Sequence, residues 1–335
     1  MSKVSVCIPV YGVEKYIERC ARSLFEQTLD DIEYVFVNDC TPDRSIEILK
    51  RTLEDYPHRK SQVTIIDHPY NCGLGKARVT AIKYLMSKFT GGGYVIHCDS
   101  DDYIECDMYE RMYECAVASN ADMVYCDYIQ EKSGEILHKS GGSAETVDGI
   151  INEMFSREAP QFLINKMYRS AIALKDYSQA CPEYINCAED GCRNYAMLRN
   201  CQSVAHCHRA FYHYCRRENS ITMEEQINTD YKYHVLEVYN ICDRYYTEEK
   251  YQVALDYRRR QALYYAITIP GFPAKKWKSL YNRAKRGIWH DRHFTLPMKL
   301  VFALTTVNFQ CGVLAQRTLH TLYSLYLKII SAIRK

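Results

Sequence analysis

The chain has 335 residues, 47% hydrophobic and 25% charged, the balance of a folded protein with room for two domains or one domain with an appendage. Its net charge of +2 conceals a split: residues 273–335 hold twelve Lys and Arg against one acid, Asp291, leaving 31 bases and 40 acids before them. These figures exclude a disordered chain, and the basic end points to a polyanion, either nucleic acid or the anionic face of a membrane.

Sixteen cysteines never form C-x-x-C, and the first residues already read as a strand, so no leader is expected. Reduced thiols acting as small core hydrophobes are the expectation. Cys201, His206, Cys207, His208, His213 and Cys215 offer zinc-type ligands in a spacing that fits no standard finger. The alternation through AHCHRAFYHY predicts a pair of strands instead.

In chain order, VSVCIPV (4–10) predicts a first strand, then a turn at Tyr11 and Gly12 and a helix through Thr28, with Ile17, Cys20, Ala21 and Leu24 at helical spacing. Residues 33–37 predict a second strand, ending in Asn38, Asp39 and Cys40, and Thr41 or Asp43 can cap the helix that carries Ile46, Leu49 and Leu53. A third strand over 62–66 leads to NCGLGKAR, which opens a helix bearing Leu74, Ala77, Ala81 and Leu85. YVIHCDSDD (94–102) predicts a fourth, buried strand whose carboxyl end emits Asp99, Asp101 and Asp102. This alternation specifies a parallel, doubly wound α/β sheet, in which ligands sit at the carboxyl ends of the strands.

Three acids within four residues repel one another unless a cation lies between them, and Mn²⁺ or Mg²⁺ with oxygen ligands is the natural candidate. The plainer alternative is an acidic turn capping the helix that follows. G-x-G-x-x-G is absent after the first strand, where PVYGVEKY stands, which removes a dinucleotide-binding oxidoreductase; a Walker loop is absent too.

Beyond Asp102 the pattern predicts a helix over 107–119, a strand over 122–130, an exposed hairpin or loop at SGGS (140–143), a short helix over 147–156 and a strand or turn at 161–168. Residues 223–268 predict two Tyr-rich helices packed on the body. In the basic end the longest uncharged run, 300–316, is too short and polar for a membrane span. Leu319, Leu322, Tyr323, Tyr326, Ile329, Ile330 and Ile333 share one face. With Trp277 and Trp289 as interfacial residues, this segment is expected to lie on a membrane surface; the alternative is that its helices cover the back of the main domain. No nucleic-acid recognition motif accompanies it.

PVYGVEKY, VNDCTPD, NCGLGKAR and DSDD, in that order and spacing, resemble the glycosyltransferases of family 2, over residues 3 to about 222. The resemblance implies a GT-A (nucleotide-diphospho-sugar transferase, Rossmann-like) domain at 1–222, its nucleotide-binding half 1–105 and its acceptor half 106–222, with a helical region at 223–335. It implies an inverting, metal-dependent transferase moving a hexosyl or N-acetylhexosaminyl group from a nucleotide sugar, usually a UDP-sugar. The acceptor would be a saccharide or lipid-linked saccharide at the cytosolic face of a membrane.

Pro9, Tyr11 and Glu14 match the family's nucleotide pocket, and Asp39 matches the residue that accepts from the base. Arg78 matches its arginine after the third strand, able to pair with phosphate or with the acidic cluster. Asp99, Ser100 and Asp101 match the D-x-D, Asp99 near the ribose and Asp101 on the metal, Mn²⁺ or Mg²⁺. Glu189 and Asp190 match the E-D pair, with Asp190 the expected base. Asn165 and Lys166 resemble an N-K pair with a base-supporting or a purely structural role. Tyr212, Tyr214, Arg216 or Arg217, and Ser220 resemble a Y-x-Y-x-R segment that closes over donor phosphates. Asn38, Cys40 and Val79 depart from the family's usual Asp, Gly and Asn, and the Q-x-x-R-W string of processive synthases is absent, which favours one sugar per encounter. Two rivals remain: a non-catalytic nucleotide-sugar-binding module, and a nucleotidyltransferase, which would need a Gly-rich, Lys-containing loop where PVYGVEKY stands.

Overall fold

The computed structural model describes residues 2–132, 135–175, 177, 180–182, 185, 188–216, 229–269, 271–285, 287–291 and 294–333. Arg217 and Ser220 lie outside the described residues. The chain divides into two compact units, Met1–Met223 and Glu224–Lys335.

In the first unit, β1 (Val4–Val10), β2 (Ile32–Asn38), β3 (Val63–Asp67) and β4 (Tyr94–His97) are parallel, in the order β3-β2-β1-β4. All seven residues of β1 are buried, as expected of a strand covered on both faces. Three helices alternate with them, α1 (Ile17–Phe25), α2 (Ser45–Glu54) and α3 (Leu74–Ser87), and Ile17, Cys20, Ala21 and Leu24 are fully buried.

Pro9 sits inside β1, a position that normally loses a ladder hydrogen bond. Here β4 ends at His97, paired with Cys7, and the Cys98 amide closes that ladder on the Cys7 carbonyl. Pro9 lies on the same side two residues on, where β4 has stopped, so its missing N–H forfeits nothing.

The second half of the sheet departs from the all-parallel expectation. β8 (Lys166–Arg169) pairs antiparallel with both β4 and β6 (Met123–Lys132), β9 (Val204–Arg216) pairs parallel with β6, and β5 (Tyr103–Ile104) closes the far edge antiparallel to β9. AHCHRAFYHY lies in one strand, not two, because register shifts opposite Cys126–Tyr128 absorb the extra residues. A strand absent from the sequence expectation, β7 (Glu135–Lys139), pairs with β6, so SGGS follows a hairpin instead of forming one. Gly141 and Gly142 are buried, not exposed, and a Cβ on Gly141 would lie 2.1 Å from the Cys126 carbonyl oxygen. The unit also holds helices α4 (Met108–Ser119), α5 (Val147–Ser156), α6 (Ser170–Lys175) and α7 (Glu189–Leu198).

The second unit holds α8 (Thr229–Tyr245), α9 (Glu249–Ala266), α10 (Ala274–Ala284), α11 (Leu296–Val307) and α12 (Phe309–Ile333). Trp277 corrects the interfacial expectation: it is 1% exposed, donates its indole N–H to the Leu263 carbonyl at 3.1 Å and stacks on Tyr281 and Phe302. Trp289 is 56% exposed. The uncharged run breaks at Asn308 between α11 and α12, which cross so closely that a Cβ on Gly312 would meet Thr305 Oγ1. Among the described residues no helix is long and apolar enough to cross a membrane. Leu319 is half-buried, Leu322 and Tyr323 are exposed, and the side chains of Tyr326, Ile329, Ile330 and Ile333 lie outside the described residues.

Cys40 occupies φ +55°, the left-handed region that Gly adopts without steric cost. A Cβ there costs about 1–2 kcal/mol, and the extra freedom of Gly in the unfolded chain returns about 0.5–1 kcal/mol. Cys40→Gly should therefore raise stability by up to ~1 kcal/mol, read as a higher urea midpoint at unchanged slope. A midpoint that falls would mean that the backbone is not strained there.

Candidate active site

The loops after β1 and β2 are stitched into one surface. The Gly12 amide donates to Thr41 Oγ1, Val13 to Ser45 Oγ and Glu14 to Asp43 Oδ2, while Glu14 accepts from the Arg44 amide. These amides and Glu14 are thus turned onto the neighbouring loop. Tyr11 stands out of it, 47% exposed, whereas Pro9 is buried in the strand.

Asp39 is 3% exposed. Its Oδ1 accepts from His68 Nδ1 and the Cys72 amide, and its Oδ2 from the Gly73 amide, each at 2.7 Å. The residue expected to meet the base therefore also shapes the turn that opens α3. His68, Cys72 and Asp39 bring ligand-type atoms within 4.8 Å, but three hydrogen bonds on one carboxylate satisfy it without an ion.

Arg78, on α3, is the centre of the site. It is 1% exposed, and its Nη2 donates to Asp99 Oδ1 at 2.7 Å and its Nη1 to Glu189 Oε1 at 2.8 Å and to Asp190 Oδ1. Of the two pairings the sequence left open, it makes the one with acids, and these come from two segments some ninety residues apart. Glu189 and Asp190 occupy the first turn of α7, where the helix dipole favours carboxylates. Ala188 before them sits at φ +61°.

Three carboxylates share this one guanidinium, so negative charge is in excess. Burial and then the neighbouring Asp190 push Glu189 up to about 8, against the pull of Arg78. Burial raises Asp190 as well, opposed by Arg78 and assisted by Asp99. Asp190 keeps 22% of its side chain exposed and Asp99 28%, so both reach the surface that buried Arg78 does not.

The acids of DSDD part company. Asp102 turns inward, 1% exposed, accepting from the Tyr212 hydroxyl and the Cys215 amide at 2.8 Å each. Burial, with Asp101 and Asp99 beside it, holds its carboxyl well above the usual range. Tyr212 is fully buried and also accepts from the Asp99 amide, so it bolts β9 to the acidic turn and cannot close over phosphates as expected. Ser100 is 4% exposed and offers a ligand little surface. Asp101 is half-buried.

Lys166 does not reach the E-D pair. Fully buried, it donates to the Pro160 and Phe162 carbonyls and to Asn165 Oδ1 at 2.8–3.0 Å, and burial lowers its pKa to about 7. Its influence on the site is indirect: it holds the loop whose Leu163 amide donates to Asp190 Oδ2 at 3.4 Å. Tyr214 stacks on Phe162 of that loop, and Arg216 is half-buried, close enough to Tyr128 to oppose the rise that burial gives its hydroxyl.

Among the zinc-type residues, His206 stacks on Tyr125 and bonds Asp127, and His213 lies between Glu105 and Glu131. Among the described residues they do not converge into a metal cluster. Sequence reasoning missed His97, Tyr177 and Arg193, which line the buried side of Arg78. His97 stacks on Tyr177 and bonds its hydroxyl, and Arg193 donates to the Tyr177 and Gly75 carbonyls. The one sequence signal was a histidine inside the apolar run YVIH.

Residues 5–167 match the sequence family described as glycosyl transferase family 2. The chain carries a glycosyl transferase family 2 domain. It is 42% identical over 130 residues, 39% of this chain and 35% of the relative, to the uncharacterized glycosyltransferase EpsJ of Bacillus subtilis. It is 27% identical over 252 residues, 70% of this chain and 39% of the relative, to the poly(ribitol-phosphate) β-N-acetylglucosaminyltransferase TarS of Staphylococcus aureus. The chain thus spans little more than a third of the length of these two curated relatives.

The fold is that of TarS residues 1–349 crystallised with UDP-GlcNAc, at a TM-score of 0.68 and 19% identity, covering 95% of this chain and 92% of that one. A mannosyltransferase from Pyrobaculum calidifontis, crystallised with GDP-Man and Mn²⁺, matches at 0.52 and 13%, covering 95% and 86%. The first unit therefore has the GT-A fold, its mixed outer strands included, and residues 5–167 are the part of it that matches family 2.

Arg78→Met should leave three carboxylates without their buried counter-charge and destabilise the fold by about 3–5 kcal/mol. Protonated acids have no charge to bury, so the deficit against wild type should shrink as pH falls through the raised pKa values of Glu189 and Asp190, in urea melts at pH 8 and pH 5. A deficit independent of pH would show that Arg78 acts by packing alone.

Proposed function

We propose that this protein is an inverting, metal-dependent, non-processive glycosyltransferase that moves a sugar from a UDP-sugar to a saccharide or lipid-linked saccharide in the synthesis of a cell-surface polymer. The observation that carries the proposal is the Arg78 junction, which ties the acidic end of β4 to the E-D pair of α7. A donor held by the first and a base from the second then meet at one surface. UDP is favoured as the nucleotide because TarS, with the same fold, was crystallised with UDP-GlcNAc.

In this reading Tyr11 lies against the base, and the remaining lone pair of Asp39 Oδ2 accepts a base N–H. Arg216 faces the diphosphate. Hard oxygen donors at the acidic turn suit Mn²⁺ or Mg²⁺, which accept one or two carboxylates alongside substrate phosphates. Asp102 is committed to Tyr212 and Cys215, so Asp101 and the second oxygen of Asp99 would hold the ion. It would neutralise charge growing on the diphosphate. The acceptor oxygen attacks the anomeric carbon, the bond to the diphosphate breaks with its electron pair leaving on phosphate, and Asp190 takes the hydroxyl proton. Burial raises the basicity of Asp190 toward working pH, as a general base requires. Attack from the face opposite the leaving group inverts the anomeric centre.

The second unit supports docking of the enzyme on the cytosolic face of an anionic membrane. On α11, Leu296, Leu300, Leu304 and Val307 follow one stripe and are 63%, 49%, 44% and 88% exposed, in a segment with twelve bases and one acid.

Turnover of a UDP-sugar panel with Mn²⁺ tests the chemistry. Asp190→Asn should cut transfer by ~10²-fold or more with UDP affinity unchanged by calorimetry, and Asp101→Asn should lose the metal dependence. The rate should rise with pH along a limb above the ordinary carboxylate range, since Asp190 works deprotonated and its pKa is raised. UDP binding without turnover on any acceptor would favour the non-catalytic module, and equal turnover by all three proteins would end the assignment. Sedimentation with vesicles tests the docking: wild type should bind phosphatidylglycerol vesicles and not phosphatidylcholine ones, and Leu300→Glu with Leu304→Glu should abolish it. Salt-independent binding to both vesicle types, or none, would remove the membrane from the proposal.

A further inference from the structure

We propose that Phe162, flanked by Tyr214 and Tyr128, is the platform on which the acceptor saccharide ring stacks beside Asp190; this rests on the transferase reading above. A sugar presents polar edges and apolar C–H faces, and an aromatic side chain can hold such a face with few rotatable bonds to order. A transferase must fix the plane of its acceptor so that one hydroxyl meets the anomeric carbon. The ring that does this has to be rigid without its ligand, accessible, and close to the base.

Phe162 meets these conditions. Its carbonyl accepts from Lys166 Nζ and from Asn194 Nδ2, both at 3.0 Å, and Asn194 also holds the Gln161 carbonyl at 2.7 Å. Gln161 in turn bonds the Tyr195 hydroxyl, and Gly191 of α7 comes so close to Gln161 that a Cβ would lie 3.0 Å from its Oε1. The loop is thereby fastened to the helix that carries Glu189 and Asp190. The residue after the ring, Leu163, donates its amide to Asp190 Oδ2.

Burial separates this ring from core phenylalanines. Phe25, Phe36, Phe155 and Phe211 of the same unit are at most 1% exposed, whereas Phe162 is only partly buried. Tyr214 backs it at a centroid distance of 5.3 Å and 29°, and Tyr128 meets it edge-on at 5.7 Å and 79°. Both tyrosines are partly exposed as well. Two phenolic rings beside an apolar face suit a ligand that carries both hydroxyls and C–H faces.

Phe162→Leu keeps apolar bulk and removes the flat face, Phe162→Met does the same as a second variant, and Phe162→Tyr keeps the face. Saturation-transfer NMR on methyl β-glucoside and methyl β-N-acetylglucosaminide, with UDP and Mg²⁺ present, reads the contact without needing turnover. Wild type and Phe162→Tyr should saturate the sugar C–H protons, and the Leu and Met variants should lose at least three-quarters of that signal with calorimetric UDP affinity within twofold. Where transfer to either glycoside is measurable, the KM for the glycoside should rise about tenfold in the Leu variant with the KM for the donor unchanged. No saturation of either glycoside in a wild type that binds UDP would overturn the platform and leave the transferase reading standing. So would equal signals in all four proteins, or a rise confined to the donor KM. A wild type that binds no nucleotide would instead strike the transferase reading itself.

Discussion

One buried guanidinium decides how the first unit works. Arg78 lies on α3, in the half of the sheet built from simple strand-helix alternation, and its partners come from the end of β4 and the start of α7. A side chain 1% exposed gains nothing from water, so the desolvation it suffers is offset only by well-made hydrogen bonds to charged partners. Those bonds converge on one point because three separate chain segments do. Any slippage of α7 relative to β4 would strand either the arginine or its carboxylates, and that energetic penalty holds the two halves in register.

The same arrangement sets the chemistry. With one guanidinium shared among three acids, burial, assisted by the neighbouring carboxylates, raises Glu189 and Asp190 instead of letting Arg78 depress them. An ordinary salt-bridged aspartate would be a poor base, its proton affinity lowered by its partner. Here burial outweighs Arg78, so Asp190 keeps a geometric anchor without losing basicity. Strain accompanies this: of the four non-glycine residues at positive φ among the described residues, Asn120 and Arg157 merely end helices, whereas Cys40 and Ala188 stand beside Asp39 and Glu189.

Much of this was legible in the sequence, and for physical reasons. The parallel half could be read because β1, β2 and β4 are largely buried on both faces and the helix after β1 carries one apolar stripe, Ile17, Cys20, Ala21 and Leu24. The second half could not. β6 pairs with β7, β8 and β9, and pairing across a sheet leaves no local mark when half-buried aromatics and histidines fill both faces, as in β9. The E-D pair was visible as a motif, but its link to Arg78 was not, since a contact between residues 111 positions apart has no periodicity. Tyr212 and Trp277 misled in the same way: each was read by residue type, a phosphate-closing tyrosine and an interfacial tryptophan, and each proved to be a buried structural bolt.

Lys166 carries the lesson further, because a charged residue on another segment is tied to Asp190 through the backbone. All three ammonium protons go to oxygens of the chain between Pro160 and Asn165, so the amine is spent on shaping a loop and is not available to substrate. A fully buried lysine is unstable as a cation, and its lowered pKa expresses that. A loop held so firmly needs no ligand to order it, and an amide from it already touches Asp190. The two halves of the site are thus prepared by different means, one by ion pairing through Arg78 and the other by hydrogen bonds from Lys166 to uncharged oxygens of the loop. In the proposed reading a charged donor meets the ion-paired β4 side while the loop beside Asp190 is already held by its own hydrogen bonds, the division of labour that the proposed displacement would use.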